Sequence, residues 1–591
     1  KNGNYLSIVM PDDLNMNQKL ENILNVSLDA TEDELRKADS LSTGYNWRDN
    51  TWEIIVKYSG SLESIRNRYN VYIKELLNYY AIIVADKATI ELVSQEDVID
   101  YVEKPKSLYY QIERTKTAAY VGSVRADGNI LSGKGVIVGV IDTGIDIFDN
   151  AFRNSDGTTR ILNIYDQTTG EKYDKQSIDE YIRLNEDLSG GTFSYDNAPG
   201  VDNIMHGTDV SYIAAGSLGV AYEADIIAVK MGYSINNQFP RTTSLMDAID
   251  YIIRKAIEYR KPVAVNISYG CNYGAHNGNT LLESFIDDIS KSYRCVICVG
   301  SGNEADKAIH FGGIINTGQV QTAYLSVGEY QSAIDIQIWK NYWDTIDVML
   351  INPRGEQIGI ITEGRINRYE TYNTEIITLL GEPSPYNIYQ EIYINLIPKT
   401  DYILSGIWQI VLMAGSIRAG EYNIWLPSSQ ALGYATAFNN PTADGTITIP
   451  ATARNCIAVG AYNAYTNSYA AFSGRGFDNS IRNVNAGVKP DITAPGVDIS
   501  IARQRGNDIT YRNVTGTSYA VPVVTGAAAL LMQWGIVMGN DRFMYGEKLK
   551  AALIDGSKPV GLVGITRNDN QPDPRTGWGA VCLKNTLNKI L

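Results

Sequence analysis

Continuous apolar runs that end in glycine or in polar turns dominate two parts of this chain. Residues 135–141 read GVIVGVI with no polar position, and 295–300 form a similar run. A strand that is apolar on both faces is typical of the interior of a parallel sheet covered by helices. Small and apolar residues follow at helical spacing in 210–215 and 519–531. The pattern predicts an α/β fold with a parallel sheet and helices on both faces.

The first 111 residues show a different pattern. Residues 1–50 are polar and acidic, and Thr31 to Glu34 fit a capping box before a short helix. The next stretch predicts strand 52–58, helix 61–69, strand 80–85, helix 87–94 and strand 98–103. This alternation of strands and helices predicts a small, separate α/β sandwich.

Short strand-like segments without helical periodicity fill the region from 316 to 438. The predicted strands are 322–327, 333–339, 346–351, 357–361, 375–380, 389–397, 408–413 and 422–426. Many short strands with regular turns predict a β-sandwich or jelly roll, here inserted into the α/β domain. The insert has three candidate roles, which are substrate recognition, holding of the N-terminal domain, and bracing of the surrounding domain. Bracing is the default interpretation.

The length, net charge and cysteine content of the chain limit the kinds of protein that it can be. A chain of 591 residues predicts two to four domains. The net charge of 51 − 66 = −15 disfavours nucleic acid and anionic membranes as partners. The sequence contains no run of eighteen apolar residues, so we predict no transmembrane helix. The start at Lys1 without an apolar leader suggests a trimmed N-terminus. The five cysteines are sparse, and Cys295 and Cys298 lie in an apolar strand, so we interpret them as buried hydrophobic residues.

Ser518 carries the strongest chemical signal. It lies in the run TGTSYAVP at 515–522, a tight turn that opens an apolar helix. First-turn N–H groups and the helix dipole face any negative charge that develops beside its hydroxyl. Serine is a weak nucleophile, so the chemistry needs a base and a group that orients the base.

Three upstream residues supply the remaining groups. Asp142 ends the buried run at 135–141, where open α/β sheets place their sites, and His206 precedes an apolar helix. Asn303 follows the strand at 295–300 and can donate its amide N–H to an oxyanion. Each alone also fits an ordinary turn or a structural histidine. His276 and His310 receive that structural interpretation.

The order Asp142, His206, Asn303, Ser518 resembles that of the subtilisin-like serine proteases. Segments 220–230, 263–270 and 489–496 agree, and the resemblance covers most of 112–310 and 440–591. It implies that 1–111 are an N-terminal extension and propeptide, that 112–315 and 439–591 form the catalytic domain, and that 316–438 are the insert. The layout resembles clostridial subtilases of the spore-germination type.

The resemblance also implies roles for individual residues. Asp142, His206 and Ser518 would be the triad, and Asn303 the oxyanion donor. The substrate would lie between two segments, Ser268, Tyr269 and Gly270 on one side and Gly300, Ser301 and Gly302 on the other. The tail from Lys104 would run extended to Ser518, so that self-cleavage would follow Tyr110 or Gln111. No metal or cofactor is predicted.

Three positions depart from the family pattern. Asp209 stands where the family often has a second histidine, Tyr519 follows the nucleophile in place of methionine, and Ala151 aligns near a calcium-ligating aspartate. None of them performs the chemistry. The last departure argues against a metal site.

The sequence therefore predicts a serine endopeptidase acting on protein or peptide substrates, with its own propeptide as an intramolecular inhibitor. The alternative is a catalytically silent member that binds and regulates partners. An esterase is disfavoured because its serine would precede the acid and the base. The resemblance suggests a secreted or spore-associated protein of a Gram-positive anaerobe.

Overall fold

The computed structural model describes residues 17–111, 125–126, 129–188, 198–232, 239–359, 361, 365–477, 488–505, 508–561 and 572–590. The helices are α1 (Asn22–Asp29), α2 (Glu32–Lys37), α3 (Asp39–Ser42), α4 (Glu63–Tyr69), α5 (Lys87–Ser94), α6 (Lys175–Leu188), α7 (His206–Ala215), α8 (Thr242–Tyr259), α9 (Leu281–Ser292), α10 (Thr517–Met532), α11 (Gly546–Asp555) and α12 (Leu583–Ile590).

The strands fall into five groups along the chain. The N-terminal domain and its tail hold β1 (Tyr45–Asn46), β2 (Thr51–Tyr58), β3 (Tyr72–Leu76), β4 (Tyr80–Ala85), β5 (Ile99–Glu103) and β6 (Tyr109–Tyr110). A two-stranded pair is formed by β7 (Arg125–Ala126) and β8 (Asn129–Ile130). The first part of the α/β domain holds β9 (Ile137–Asp142), β10 (Ile161–Asp166), β11 (Glu171–Asp174), β12 (Asp225–Lys230), β13 (Val263–Ile267), β14 (Tyr269–Gly270) and β15 (Cys295–Gly300).

The remaining strands belong to the insert and to the second part of the α/β domain. The insert holds β16 (His310–Ile314), β17 (Val320–Val327), β18 (Ile334–Asn341), β19 (Ile346–Ile351), β20 (Gln357–Ile358), β21 (Ile366–Glu370), β22 (Thr374–Leu380), β23 (Tyr389–Pro398), β24 (Gly406–Ala414), β25 (Glu421–Trp425) and β26 (Ala437–Phe438). The second part holds β27 (Ile457–Asn463), β28 (Ser468–Tyr469), β29 (Ile492–Pro495), β30 (Ile499–Arg505) and β31 (Asp508–Val514).

The central sheet has the strand order β11-β10-β12-β9-β13-β15-β27-β28, with β29 beside β27. Its interior pairs from β10 to β29 are parallel, and β11 and β28 add antiparallel edges. One apolar core lies between the sheet and α7 and α10, and a second lies under α8 and α9. The carboxyl ends of β9, β13 and β15 meet at one edge, which is where such sheets place their sites.

The helix that begins beside Ser518 is the most apolar in the described part of the chain. Residues Thr517–Val537 have the length and composition of a membrane span, but 89% of their most apolar window is buried inside the protein. The stretch is therefore a core helix, packed against α7 and the central sheet.

The N-terminal domain is a five-stranded antiparallel sheet in the order β1-β2-β4-β3. Strand β5 also pairs with β2, on the edge opposite β4. The capping box is present, with Thr31 N–H donating to Glu34 Oε2 over 2.6 Å. The sequence predicted only three strands and no helix at α1. Strand β3 was missed because its residues YIKEL are largely polar and Tyr72 is 62% exposed, as on a sheet edge.

The insert consists of two antiparallel sheets that enclose their own apolar core. Its first strand, β16, begins at His310, earlier than the predicted 316, and pairs with the last long strand, β25. The two ends of the insert meet, since Leu426 N–H donates to Ile309 O over 3.0 Å. Side chains of β22 and β23 also pack into the core of the N-terminal domain.

Candidate active site

Asp142 and His206 form a buried, hydrogen-bonded pair. The His206 Nδ1 lies 2.6 Å from Asp142 Oδ1, and each side chain is 1% exposed. Because a carboxylate only accepts, Nδ1 carries the proton and Nε2 is left as the basic nitrogen. Nε2 has no hydrogen-bond partner among the described residues. The imidazole is thus oriented as a general base.

Hydrogen bonds join the loop after Asp142 to the residues on either side of His206. Asp202 accepts from Thr143 Oγ1 over 2.7 Å and from Thr208 N–H over 2.8 Å. Gly207 N–H donates to Thr143 Oγ1 over 2.9 Å, and a Cβ on Gly207 would lie 2.3 Å from Gly144 O. Only glycine therefore fits directly after His206. Sequence reasoning missed Asp202, because it lies in a loop without periodicity.

Ion pairs and a hydrogen bond also hold the start of α7 to strands β30 and β31. Asp209 is 0% exposed and forms ion pairs with Arg503 and Arg512, which lie on the antiparallel strands β30 and β31. Arg503 Nε donates to Asp209 over 3.0 Å, and its Nη2 donates to Met205 O over 2.9 Å. The residue that departs from the family pattern thus anchors the β30–β31 hairpin to the start of the histidine helix.

Ser518 and Asn303 come together at the start of α10. Asn303 Oδ1 accepts from Thr517 N–H over 3.1 Å and from Thr517 Oγ1 over 3.0 Å. These bonds fix which side of the amide carries the nitrogen, and Asn303 Nδ2 has no partner in the described part of the chain. Tyr519 packs its ring against that of His206, with centroids 5.2 Å apart.

The tail of the N-terminal domain runs through this site as an extended strand. Strand β6 is antiparallel to β14, with Tyr110 opposite Tyr269 and Tyr109 opposite Gly270. Gln111 N–H donates to Ser268 O over 3.3 Å. Gln111 O accepts from Ser518 N–H over 3.3 Å and also from Ser518 Oγ. The three residues predicted to pair with substrate backbone, Ser268 to Gly270, thus pair with the chain's own tail.

Two family models match the chain. The Subtilase family model matches residues 133–383 and 419–579, and the Csp protease B prodomain model matches residues 18–106. This chain belongs to the subtilase family. The predicted family and the predicted α/β fold class with an N-terminal propeptide domain are confirmed.

Solved and curated relatives of this subtilase agree with that assignment. The structure of the CspB protease of Clostridium perfringens is 34% identical, with a TM-score of 0.70, and the match covers 78% of this chain and 94% of that one. Subtilase-type proteinase RRT12 of Saccharomyces cerevisiae is 33% identical over 128 residues, 21% of this chain and 23% of that protein. Subtilisin-like protease 10 of Arthroderma otae is 34% identical over 120 residues, 20% of this chain and 27% of that protein. The chain spans about a quarter of the length of these curated relatives.

The subtilase holds the Gln111 side chain in a polar pocket beside Ser518. Gln111 Nε2 donates to Gly300 O over 3.1 Å and to Thr448 Oγ1 over 3.0 Å. Thr517 Oγ1, whose single proton goes to Asn303 Oδ1 over 3.0 Å, lies 3.4 Å from Gln111 Oε1. A Cβ on Gly300 would lie 1.9 Å from Gln111 Oε1, so this position needs glycine while glutamine fills the pocket.

The predicted pocket wall at 300–302 requires a correction. Gly300 contacts the tail, but the Ser301 side chain points away and lies 3.2 Å from Ser473 Oγ, because Ser301 is buried in the core. Gly302 packs against Thr448, which forms the wall in its place. Thr448 was missed because it follows the insert by ten residues and lies in no recognisable motif.

The histidines predicted to be structural lie outside the catalytic site. The Trp425 ring is stacked with both, at centroid distances of 4.2 Å to His276 and 4.9 Å to His310. Cys295 and Cys298 are buried in β15.

Proposed function

We propose that this subtilase is a serine endopeptidase that cuts its own chain after Gln111. The observation that carries the proposal is the position of the Gln111 carbonyl, whose oxygen accepts from both the N–H and the hydroxyl of Ser518. A carbonyl held by the nucleophile's own backbone N–H is positioned for attack and for stabilisation of the resulting oxyanion. Of the two bonds predicted from sequence, the geometry favours the one after Gln111.

The proposed reaction gives each of the four groups one role, and it begins when the Ser518 hydroxyl turns from Gln111 O to His206 Nε2, which has no partner among the described residues. Ser518 Oγ attacks the Gln111 carbonyl carbon while His206 Nε2 takes the hydroxyl proton. Asp142 holds the imidazole and stabilises its charged form. Asn303 Nδ2 and Ser518 N–H stabilise the oxyanion. His206 then gives the proton to the nitrogen of residue 112, which leaves, and water activated by the same imidazole releases the acyl group.

The same pocket suggests the preferred substrate side chain. The Gly300 carbonyl and the Thr448 hydroxyl accept from the Gln111 amide nitrogen, and the Thr517 hydroxyl lies 3.4 Å from the amide oxygen. A site built to hydrogen-bond a polar group rejects analogues that leave its own polar groups unpaired. We therefore expect external peptides to be cut after glutamine. The tail that fills the cleft would compete with them.

Intact-mass analysis of purified protein tests the proposal. Wild type should give two fragments that separate after Gln111, while Ser518→Ala should give one uncut chain. Ser468→Ala, an exposed serine of the same domain, is the matched control and should be cut like wild type. An uncut wild type would support the catalytically silent alternative, and a cut Ser518→Ala chain would remove Ser518 from the mechanism.

A further inference from the structure

The outer edge of the tail strand is contacted by the insert. Gln111 N–H points towards β14, because it donates to Ser268 O. In a trans peptide the carbonyl of the preceding residue points the opposite way, so Tyr110 O faces away from β14. Gln430 Nε2 donates to that oxygen over 2.5 Å. The residue before the scissile one is thus contacted from a side that β14 cannot reach.

Gln430 lies on a short turn, residues Ser429–Ala431, that leaves the insert after β25. The turn is fixed to the catalytic domain at Glu304, whose carboxylate accepts from both Ser429 N–H and Ser429 Oγ over 3.2 Å. Glu304 is 6% exposed and directly follows Asn303. The segment that carries Gln430 is therefore tied to the loop that carries the oxyanion donor.

The strand before this turn is fixed as well. Trp425 stacks on His276 of the catalytic domain, and its Nε1 donates to Gly445 O over 2.9 Å. Asn272 Nδ2 donates to Leu426 O over 3.5 Å. Residues on both sides of the cleft thus hold the end of the insert, which leaves Gln430 itself as an exposed side chain above the tail.

From these contacts we propose that Gln430 is a substrate-positioning residue that the insert supplies to the cleft. It binds the carbonyl of the residue preceding the cleaved one, so a bound peptide is held between β14 and the insert. The inference rests on the proposed peptidase function. It extends the role of the insert beyond bracing, and it applies to any extended peptide because the contact is to backbone.

The first test measures the rate of self-cleavage after Gln111 in newly synthesised full-length chains. Gln430→Ala should slow the cut by about 2- to 13-fold, the effect of one neutral hydrogen bond. Gln430→Glu, which keeps the shape but loses the donor, should be at least as slow. Gln430→Lys retains a donor and should restore the rate. Gln357→Ala, at an exposed glutamine elsewhere in the insert, should match wild type.

A second test separates positioning from folding. Processed enzyme is given a peptide ending in Leu-Tyr-Tyr-Gln before a reporter, and a second peptide in which the Tyr–Gln carbonyl is reduced to CH₂. The reduction also converts the amide nitrogen into an amine, which affects both enzymes, so KM should rise several-fold more for wild type than for Gln430→Ala. The melting temperatures of the two enzymes should be equal. If Gln430→Ala and Gln430→Glu match wild type in both assays, the proposal is wrong. If wild type cuts neither itself nor the peptide, the proposed function fails first.

Discussion

Because the carboxylate of Asp209 is buried, we predict that substitutions of its two arginine partners have strongly non-additive effects on the free energy of unfolding. Asp209 is 0% exposed, while the Arg503 and Arg512 side chains are 13% and 40% exposed. Either arginine alone still neutralises the carboxylate. Arg503→Ala and Arg512→Ala should therefore each lower the free energy of unfolding by only about 1 to 2 kcal/mol, since the remaining cation keeps the buried charge paired.

The double variant removes both cations and leaves a fully buried charge. Losing the last partner of a buried charge costs about 3 to 5 kcal/mol, to which the lost packing of the two arginines adds. We expect a coupling free energy of about 1 to 3 kcal/mol between the two sites. Asp209→Asn in the double-variant background should recover most of the loss, because a neutral amide is far less costly to bury than an unpaired carboxylate.

Hydrogen exchange of the α7 amides is the sharpest readout, because the ion pairs join that helix to the β30–β31 hairpin. Thermal melting of the whole chain provides a second measure. Matched substitutions at Lys87 and Arg294, two exposed cations outside α7, β30 and β31, control for the change in net charge. If the two single losses simply add up to the double loss, or if Asp209→Asn gives no recovery, the buried-charge argument is wrong.

Three further predictions address the oxyanion, the pocket and the domain interface. Asn303→Ala should lower turnover by about 10² to 10³, the magnitude found for the corresponding donor in subtilisin, and it should also lower the melting temperature because the buried Thr517 N–H loses its acceptor. Gly300→Ala should block self-cleavage after Gln111 because its Cβ would overlap the glutamine amide, and changing Gln111 to Ala in the same chain should restore some cleavage; intact masses check both. Burial in the insert, with Glu21 nearby, raises the pKa of Glu391 from 4.5 to about 8, so the folded chain binds a proton there that the unfolded chain releases. The stability that this proton contributes is fully present below about pH 4.5 and is lost as the pH rises to 8, so the free energy of unfolding should fall across that window. Glu391→Gln should flatten the fall, and the exposed-site control Glu356→Gln should not. Equal pH profiles for wild type and Glu391→Gln would contradict the argument.

The four candidate site residues were predictable because each lies at or directly after the end of a strand, or in the first turn of a helix, within a local motif. Asp142 ends the buried strand β9, His206 and Ser518 lie in the first turns of α7 and α10, and Asn303 follows β15. The extended path of the tail was also predictable, from Pro105 and from its position before the catalytic domain. Local sequence carries this information because strand ends and helix starts determine where such side chains meet.

The groups that surround these residues were not predictable from local sequence. Thr448 contacts Gln111 across 337 residues, and Gln430 contacts Tyr110 across 320. Asp209 is paired with two arginines that lie 294 and 303 residues later in the chain. Such contacts depend on how the insert and the β30–β31 hairpin pack, and no periodicity or turn signal encodes that packing. The same limit explains why Ser301 was assigned to the pocket although its side chain faces the core.

The order of the candidate site residues along the chain sets the earliest time at which the proposed self-cleavage can begin during protein synthesis. Asp142, His206 and Asn303 all precede the insert, whereas Ser518 follows it, 407 residues after Gln111. At roughly 5 to 20 residues per second, a ribosome needs about 20 to 80 s to travel that distance. The N-terminal domain is already synthesised when that interval starts, and the whole insert is made within it, before Ser518 is added. Under the proposed mechanism the chain therefore cannot cut itself before the insert is complete, so this order of residues delays self-cleavage until the insert has been made.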